Sequence, residues 1–193
     1  MESLSALYRD VASALDGQLP IEEAARAALL RHSEAATFDE SAAVALPAAI
    51  ADVMLANDAH PCCKTLLDMP LPWLPPVTSD DPAYQAVNAH KVLVELVGPD
   101  GLVRSDNIRV GVYGIKPGVH YGVRTHPAEE LFVTLAGRGD WLKNDEDFAE
   151  YGPGARRHHG SMEPHATRTR EFAFMSIYVW TGNVSFEDYV YQG

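Results

Sequence analysis

The chain has 193 residues, 47% of them apolar, and a formal net charge of −12. That length suits one domain with a sizeable core, or one domain plus an appendage. The acidic balance excludes nucleic acid and anionic membrane as partners, since both need a basic surface. No run approaches the roughly 18 apolar residues of a membrane span.

Apolar spacing predicts helices over about the first 57 residues. Leu4, Leu7, Tyr8, Val11 and Leu15 recur at helical intervals, and Gly17 ends the run. Glu2, Arg9 and Asp10 stand where a secretory signal needs basic and then apolar residues, so an amphipathic helix and a cytoplasmic protein are expected. Pro20 opens a second helix with Ile21, Ala24, Ala25, Ala28 and Leu29 on one face. Ser41 is expected to cap a third, carrying Val44, Leu46, Ile50, Val53 and Leu55; Pro47 either kinks it or moves its start. The proline-dense stretch from His60 to Pro82 is expected to cross the core as an ordered segment that buries Leu71, Trp73 and Leu74. Cys62 and Cys63 are adjacent and read as two reduced thiols, without a disulfide framework.

From Lys91 the pattern turns to strands. Val92 to Gly98, Ile108 to Ile115, Leu131 to Ala136, a short strand from Trp141, and Glu171 to Trp180 are each bounded by turn signals such as PDG, KPG and YGPG. Short strands with recurring turns argue for a sandwich or barrel rather than βαβ units. The expected architecture is α+β but mainly β: a helical part with the crossing segment over 1–85, then a barrel over 86–193.

The chemistry concentrates in GVHYGVRTHPAEELFVTLAG, residues 118–137. If this is one strand, His126 and Glu130 point to the same interior, because even separations share a face. Imidazole plus carboxylate suits Zn, Fe, Mn, Ni or Co. A later stretch, RRHHGSMEPHATRT, offers His158, His159 and His165. A histidine from another strand could complete a two-histidine, one-carboxylate triad; His158 and His159 are expected in a solvated loop from which either could approach the pocket.

Gly118, His126, Glu130 and Gly137 resemble the first cupin motif, and Gly154, Pro164 and His165 the second. More narrowly, the chain resembles the cupin-type dimethylsulfoniopropionate (DMSP) lyases through Tyr121, Arg124, His126, Pro127, Ala128, Glu129, Glu130 and Phe132, then Pro164, His165, Ala166 and Thr169. The resemblance extends to a helical part ahead of the barrel. It implies a double-stranded β-helix holding a divalent transition metal. It further implies β-elimination of a small carboxylate substrate to dimethyl sulfide and acrylate, and a homodimer. Two positions depart from the family pattern: Arg124 stands at the first metal histidine, and Phe132 at a tyrosine proposed to act in catalysis. A guanidinium has no free lone pair for a metal. The metal set left by the resemblance is His126, Glu130 and His165, with His120 an outside candidate to replace the missing histidine. Tyr121 is the expected base or a fourth ligand. Arg124 is expected at the surface or in an ion pair, the alternative being a clamp on the substrate carboxylate. Tyr113, Phe132, Trp141, Tyr178 and Trp180 are candidates for an aromatic box around a sulfonium. Rival readings are a metal cupin of another class, such as a dioxygenase or isomerase, a non-catalytic binding cupin, and a metal-free cupin centred on Arg124.

Overall fold

The structure is a computed structural model that describes residues 4–34 and 40–193. The helices are α1 (Leu4–Ser13), α2 (Pro20–His32), α3 (Ala48–Met54), α4 (Cys62–Asp68) and α5 (Pro82–Asn88). The strands begin with β1 (Lys91–Gly98), β2 (Val103–Arg104), β3 (Ile108–Ile115), β4 (His120–Thr125), β5 (Glu129–Gly137) and β6 (Gly139–Lys143). They continue with β7 (Ala149–Tyr151), β8 (Arg156–His159), β9 (His165–Arg168), β10 (Phe174–Thr181) and β11 (Val190–Tyr191). One sheet runs β2-β1-β3-β10-β5-β8 and the other β11-β4-β9-β6-β7, the facing sheets of a cupin barrel.

The central strands of the larger sheet are buried on both faces. Alternation sorts their side chains. Leu131, Val133, Val110, Val112, Ile177 and Val179 join α1–α4 in one apolar core. Phe132, Tyr113, Phe174, Tyr178 and Trp180 face the other way and form an aromatic lining inside the barrel. Each fully buried apolar side chain of this kind contributes roughly 1.5–3 kcal/mol. The helices therefore cover the outside of one sheet, and the helical part and the barrel share that core. The junction expected at 85/86 falls inside α5.

Three local expectations need correction. The third helix begins after Pro47, which supplies its N-cap; Ser41 lies instead in a short 3-10 turn, Glu40–Ala42. A proline fits the first turn, where its missing N–H would have no partner anyway. The crossing segment contains a helix, α4, which buries Cys62, Cys63, Thr65 and Leu66. Finally, 118–137 is not one strand. It folds into β4 and β5 with a bend at 126–128 between them, and a register shift interrupts β4 between Tyr121 and Arg124. Gly137 ends β5 at φ +69°, where an added Cβ would run into the Ala173 carbonyl oxygen.

The helices are also tied to the barrel by charge. Glu22 of α2 is fully buried and accepts from Arg156 Nε of β8 at 3.1 Å and from the Gly17 N–H at 2.9 Å. Arg156 is 30% exposed and keeps Asp16 as a second partner, so it is not stranded when Glu22 is removed. Glu22→Ala is expected to cost roughly 1–2 kcal/mol for the lost hydrogen bonds, read as a lower urea midpoint at unchanged m-value.

Candidate metal centre and pocket

Strand pairing assembles the centre. Glu130 of β5 pairs in register with Trp180 of β10 on one side and His159 of β8 on the other. His165 stands on β9 in the opposite sheet. His126 sits in the bend after β4, whose carbonyl accepts from the Met162 N–H at 2.8 Å. The bend, not strand alternation, brings His126 to Glu130. His126, Glu130 and His165 each offer a ligand atom, all within 4.8 Å of one another, and all three are buried.

The histidine tautomers follow from their outer partners. His126 Nδ1 lies 3.1 Å from the Ala128 carbonyl oxygen, and His165 Nδ1 lies 2.8 Å from that of Glu163. Carbonyls only accept, so both Nδ1 atoms donate, and the neutral rings turn an Nε2 lone pair inward. These lone pairs face Glu130 Oε2 at 3.5 and 3.1 Å, and neither Nε2 has a hydrogen-bond partner. Two lone pairs and a carboxylate converge on a point that calls for a cation. The donor set therefore fits a divalent transition metal.

Other contacts fix the carboxylate. Trp180 Nε1 donates to Glu130 Oε1 at 2.6 Å, and His159 Nδ1 donates to Oε2 at 3.2 Å. Burial alone would raise the Glu130 pKa. The hydrogen bond from His159 works against burial, and the carboxyl is held well below the usual carboxylate range. Burial, then the Arg124 charge, pushes His165 down to about 3.

The expected loop histidines lie on β8 instead. His159 is fully buried against Glu130, while His158 faces outward to Glu129 at 2.7 Å. Alternation in RRHH implied that one of the two would point inward, but not which. His120 is exposed, edge-on to Phe148, and has no place at the centre.

Arg124 is not at the surface. It is buried at 2% exposure, and its register partner is His165. Its Cζ lies 4.0 Å over the Tyr121 ring, Nη2 donates to Thr167 Oγ1 at 3.1 Å, and Nη1 has no partner. It makes no ion pair with Glu129 or Glu130 among the described residues. Glu129 bonds His158 and Thr181 instead.

A cavity of about 280 Å³ opens beside these residues. Tyr113, Tyr121, Phe132, Tyr178 and Trp180 line it, as does Arg124. Trp141 does not. It packs at 1% exposure against Phe132, His159 and Phe174, so it belongs to the wall behind the lining. Tyr121 hydrogen-bonds Tyr189 through its hydroxyl, and burial raises its pKa well above the phenol range.

Sequence reasoning passed over Lys91. Register along β1 and β3 puts Lys91, Leu93 and Glu95 on the inner face, opposite Ile115, Tyr113 and Gly111. The polar residues of KVLVELV at alternate positions were the available signal. Lys91 is 1% exposed, and its Nζ has no hydrogen-bond partner. Burial, with repulsion from Arg124, lowers its pKa to about 6.

A two-sheeted barrel with a His-Glu-His trio beside an aromatic pocket defines a cupin with a donor set that could hold a metal. The chain belongs to the DMSP lyase family, whose model matches residues 17–175. The DMSP lyase DddQ of Ruegeria pomeroyi is 36% identical over 89 residues, which is 46% of this chain and 44% of that protein. The match thus spans less than half of the curated relative's length. A structure from the work on DMSP lyases RdDddP and RnDddQII superposes with a TM-score of 0.68 at 22% identity, covering 99% of this chain and 100% of that one. The crystal structure of DddQ from R. pomeroyi gives 0.51 at 20% identity, over 100% of this chain and 78% of that chain. At these identities the two structures show the shared fold.

Lys91→Met provides a test of the buried amine that does not involve activity. The folded pKa lies below the unfolded value, so the unfolded chain binds more protons between pH 6 and 10.5 and Lys91 costs stability there. At pH 7 that cost is on the order of 4 kcal/mol. Lys91→Met is expected to raise the Tm at pH 7, and its advantage should shrink as pH rises toward 10.5.

Proposed function

We propose that this chain is a metal-dependent carbon–sulfur lyase that cleaves DMSP, or a closely related small carboxylate, to dimethyl sulfide and acrylate by β-elimination. The observation that carries this reading is the convergence of two unpartnered Nε2 lone pairs and the Glu130 carboxylate beside an aromatic cavity. His126, Glu130 and His165 would hold a divalent Zn, Fe, Mn, Ni or Co ion. Such an ion supplies Lewis acidity toward the substrate carboxylate, acidifying the proton next to it.

The chain's own residues do the rest. Arg124 keeps Nη1 free in a buried pocket, so it can accept a substrate carboxylate as a charge-assisted partner. The faces of Tyr113, Tyr178 and Trp180 suit a sulfonium in the way aromatic cages hold quaternary ammonium groups. Phe132 adds an apolar face between Tyr113 and Trp141. We assign Tyr121 to the wall, since its hydroxyl is committed to Tyr189 and stays protonated. The buried lining keeps water from the carbanion-like transition state. We place the enzyme in the cytoplasm, and as a homodimer in keeping with the family. No helix among the described residues is long and apolar enough to cross a membrane.

The test is headspace gas chromatography of dimethyl sulfide over the protein with DMSP, beside elemental analysis for metal. The wild type should carry close to one transition-metal ion and release dimethyl sulfide. His126→Ala and Glu130→Gln should lose both. A wild type that takes up none of the five metals, or takes one up and releases no sulfide, would refute the reading.

A further inference from the structure

Lys91 is the buried group with a role still unaccounted for. Its Nζ sits 4.0 Å from the ring centroid of Tyr84 on α5 and 3.7 Å from that of Tyr121 on β4. It lines the same cavity as Arg124, His126 and Glu130. No carboxylate neutralises it among the described residues. Glu95, two positions further along the inner face, is taken by Arg109 at 2.7 Å and by the Tyr178 hydroxyl at 2.8 Å. Glu130 is taken by Trp180 and His159. The other charged and titratable groups lining the cavity are Tyr84, Glu95, Asp100, Arg109, Tyr113, Tyr121, Arg124, His126, Glu130, Tyr178 and Tyr189.

A buried lysine can serve as a cation or as a neutral amine. Here the surroundings choose the amine. Tyr121 already carries the guanidinium of Arg124 within 4.0 Å of its centroid, so a second cation on that ring is repelled. The faces of Tyr84 and Tyr121 attract an ammonium only weakly and carry no charge, so they offset little of the cost of removing it from water. A lysine in an apolar pocket beside another cation is the arrangement that frees an amine lone pair at neutral pH.

The pocket has few other proton acceptors. Burial raises the pKa of the Tyr113, Tyr121, Tyr178 and Tyr189 hydroxyls, so they stay protonated. Arg124 has no lone pair to give. Glu130 and the inward nitrogens of His126 and His165 face one another as a donor set.

We propose that Lys91 is the general base of the elimination, taking the proton α to the substrate carboxylate on its Nζ. The inference rests on the lyase reading above. The C–H electron pair becomes the Cα=Cβ bond, and the Cβ–S bond breaks with both electrons going to sulfur. Acrylate and neutral dimethyl sulfide leave, and the ammonium of Lys91 then loses its proton to water. A neutral amine also leaves the cationic sulfonium unopposed on that side of the pocket.

The experiment compares metal-loaded wild type, Lys91→Met and Lys91→Arg for dimethyl sulfide release from DMSP across pH 5–10, with metal content and Tm measured on each. Methionine keeps the packing without a lone pair, and arginine keeps a cation without one. Both should lose roughly 10²–10⁴-fold in kcat with little change in KM or metal content. Wild-type kcat should fall as pH drops through about 6, where Nζ becomes protonated. If Lys91→Met does not fold, Lys91→Gln takes its place in the comparison. Full kcat in Lys91→Met overturns the inference. So does a Lys91→Arg enzyme that keeps the activity lost by Lys91→Met, which would make Lys91 a charge rather than a base. A metal-loaded wild type that releases no dimethyl sulfide fails before any variant is compared; it refutes the lyase reading, and the inference with it.

Discussion

The centre of the barrel depends on one buried carboxylate. Glu130 is 3% exposed and receives Trp180 and His159 from the strands on either side of it. The lone pairs of His126 and His165 approach it as well. An anion removed from water needs a positive partner and hydrogen bonds to remain ionised. Here neighbouring strands supply the hydrogen bonds, and the opposite sheet contributes part of the donor set. Barrel closure and the centre are therefore one piece of construction: the strand register that pairs β5 with β8 and β10 is also the register that fixes Glu130.

The second constraint is a pair of basic side chains in the cavity wall. Arg124 and Lys91 are both buried, both lie over Tyr121, and both keep a nitrogen without a partner. In a folded interior such groups lower stability unless something satisfies them. A bound carboxylate would answer the free Nη1 of Arg124, and deprotonation answers Lys91. The pocket thus trades stability for an unpartnered guanidinium nitrogen and a free lone pair, a trade that recurs at functional sites. The barrel can bear it because α1–α4 seal the other face of the same sheet with an extensive apolar core.

Sequence and structure divide this protein along physical lines. Apolar periodicity was enough for α1, α2 and the long strands β1, β3 and β10, because each buries a continuous face of its own. The short strands β4, β8 and β9 were not legible. They are polar, four to six residues long, and held by pairing with distant partners rather than by their own pattern. The residue types in HPAEE and PHA were sufficient to name His126, Glu130 and His165 as one donor set. Spacing alone could not show that a bend, not a shared strand, brings the first two together.

What the sequence determined by itself was the inventory: imidazoles and a carboxylate suited to a metal, a guanidinium that cannot ligate one, and aromatic side chains in the strands that follow. What only the tertiary structure decided was which side of each strand faces inward. Register turned Arg124 into the pocket, put His159 rather than His158 on Glu130, moved Trp141 behind the lining, and placed Lys91 among tyrosines. The reason is that a strand's two faces differ by a single residue step. A bulge or a bend of one residue moves a side chain from solvent to the interior, and only the pairing of distant strands sets where that step falls.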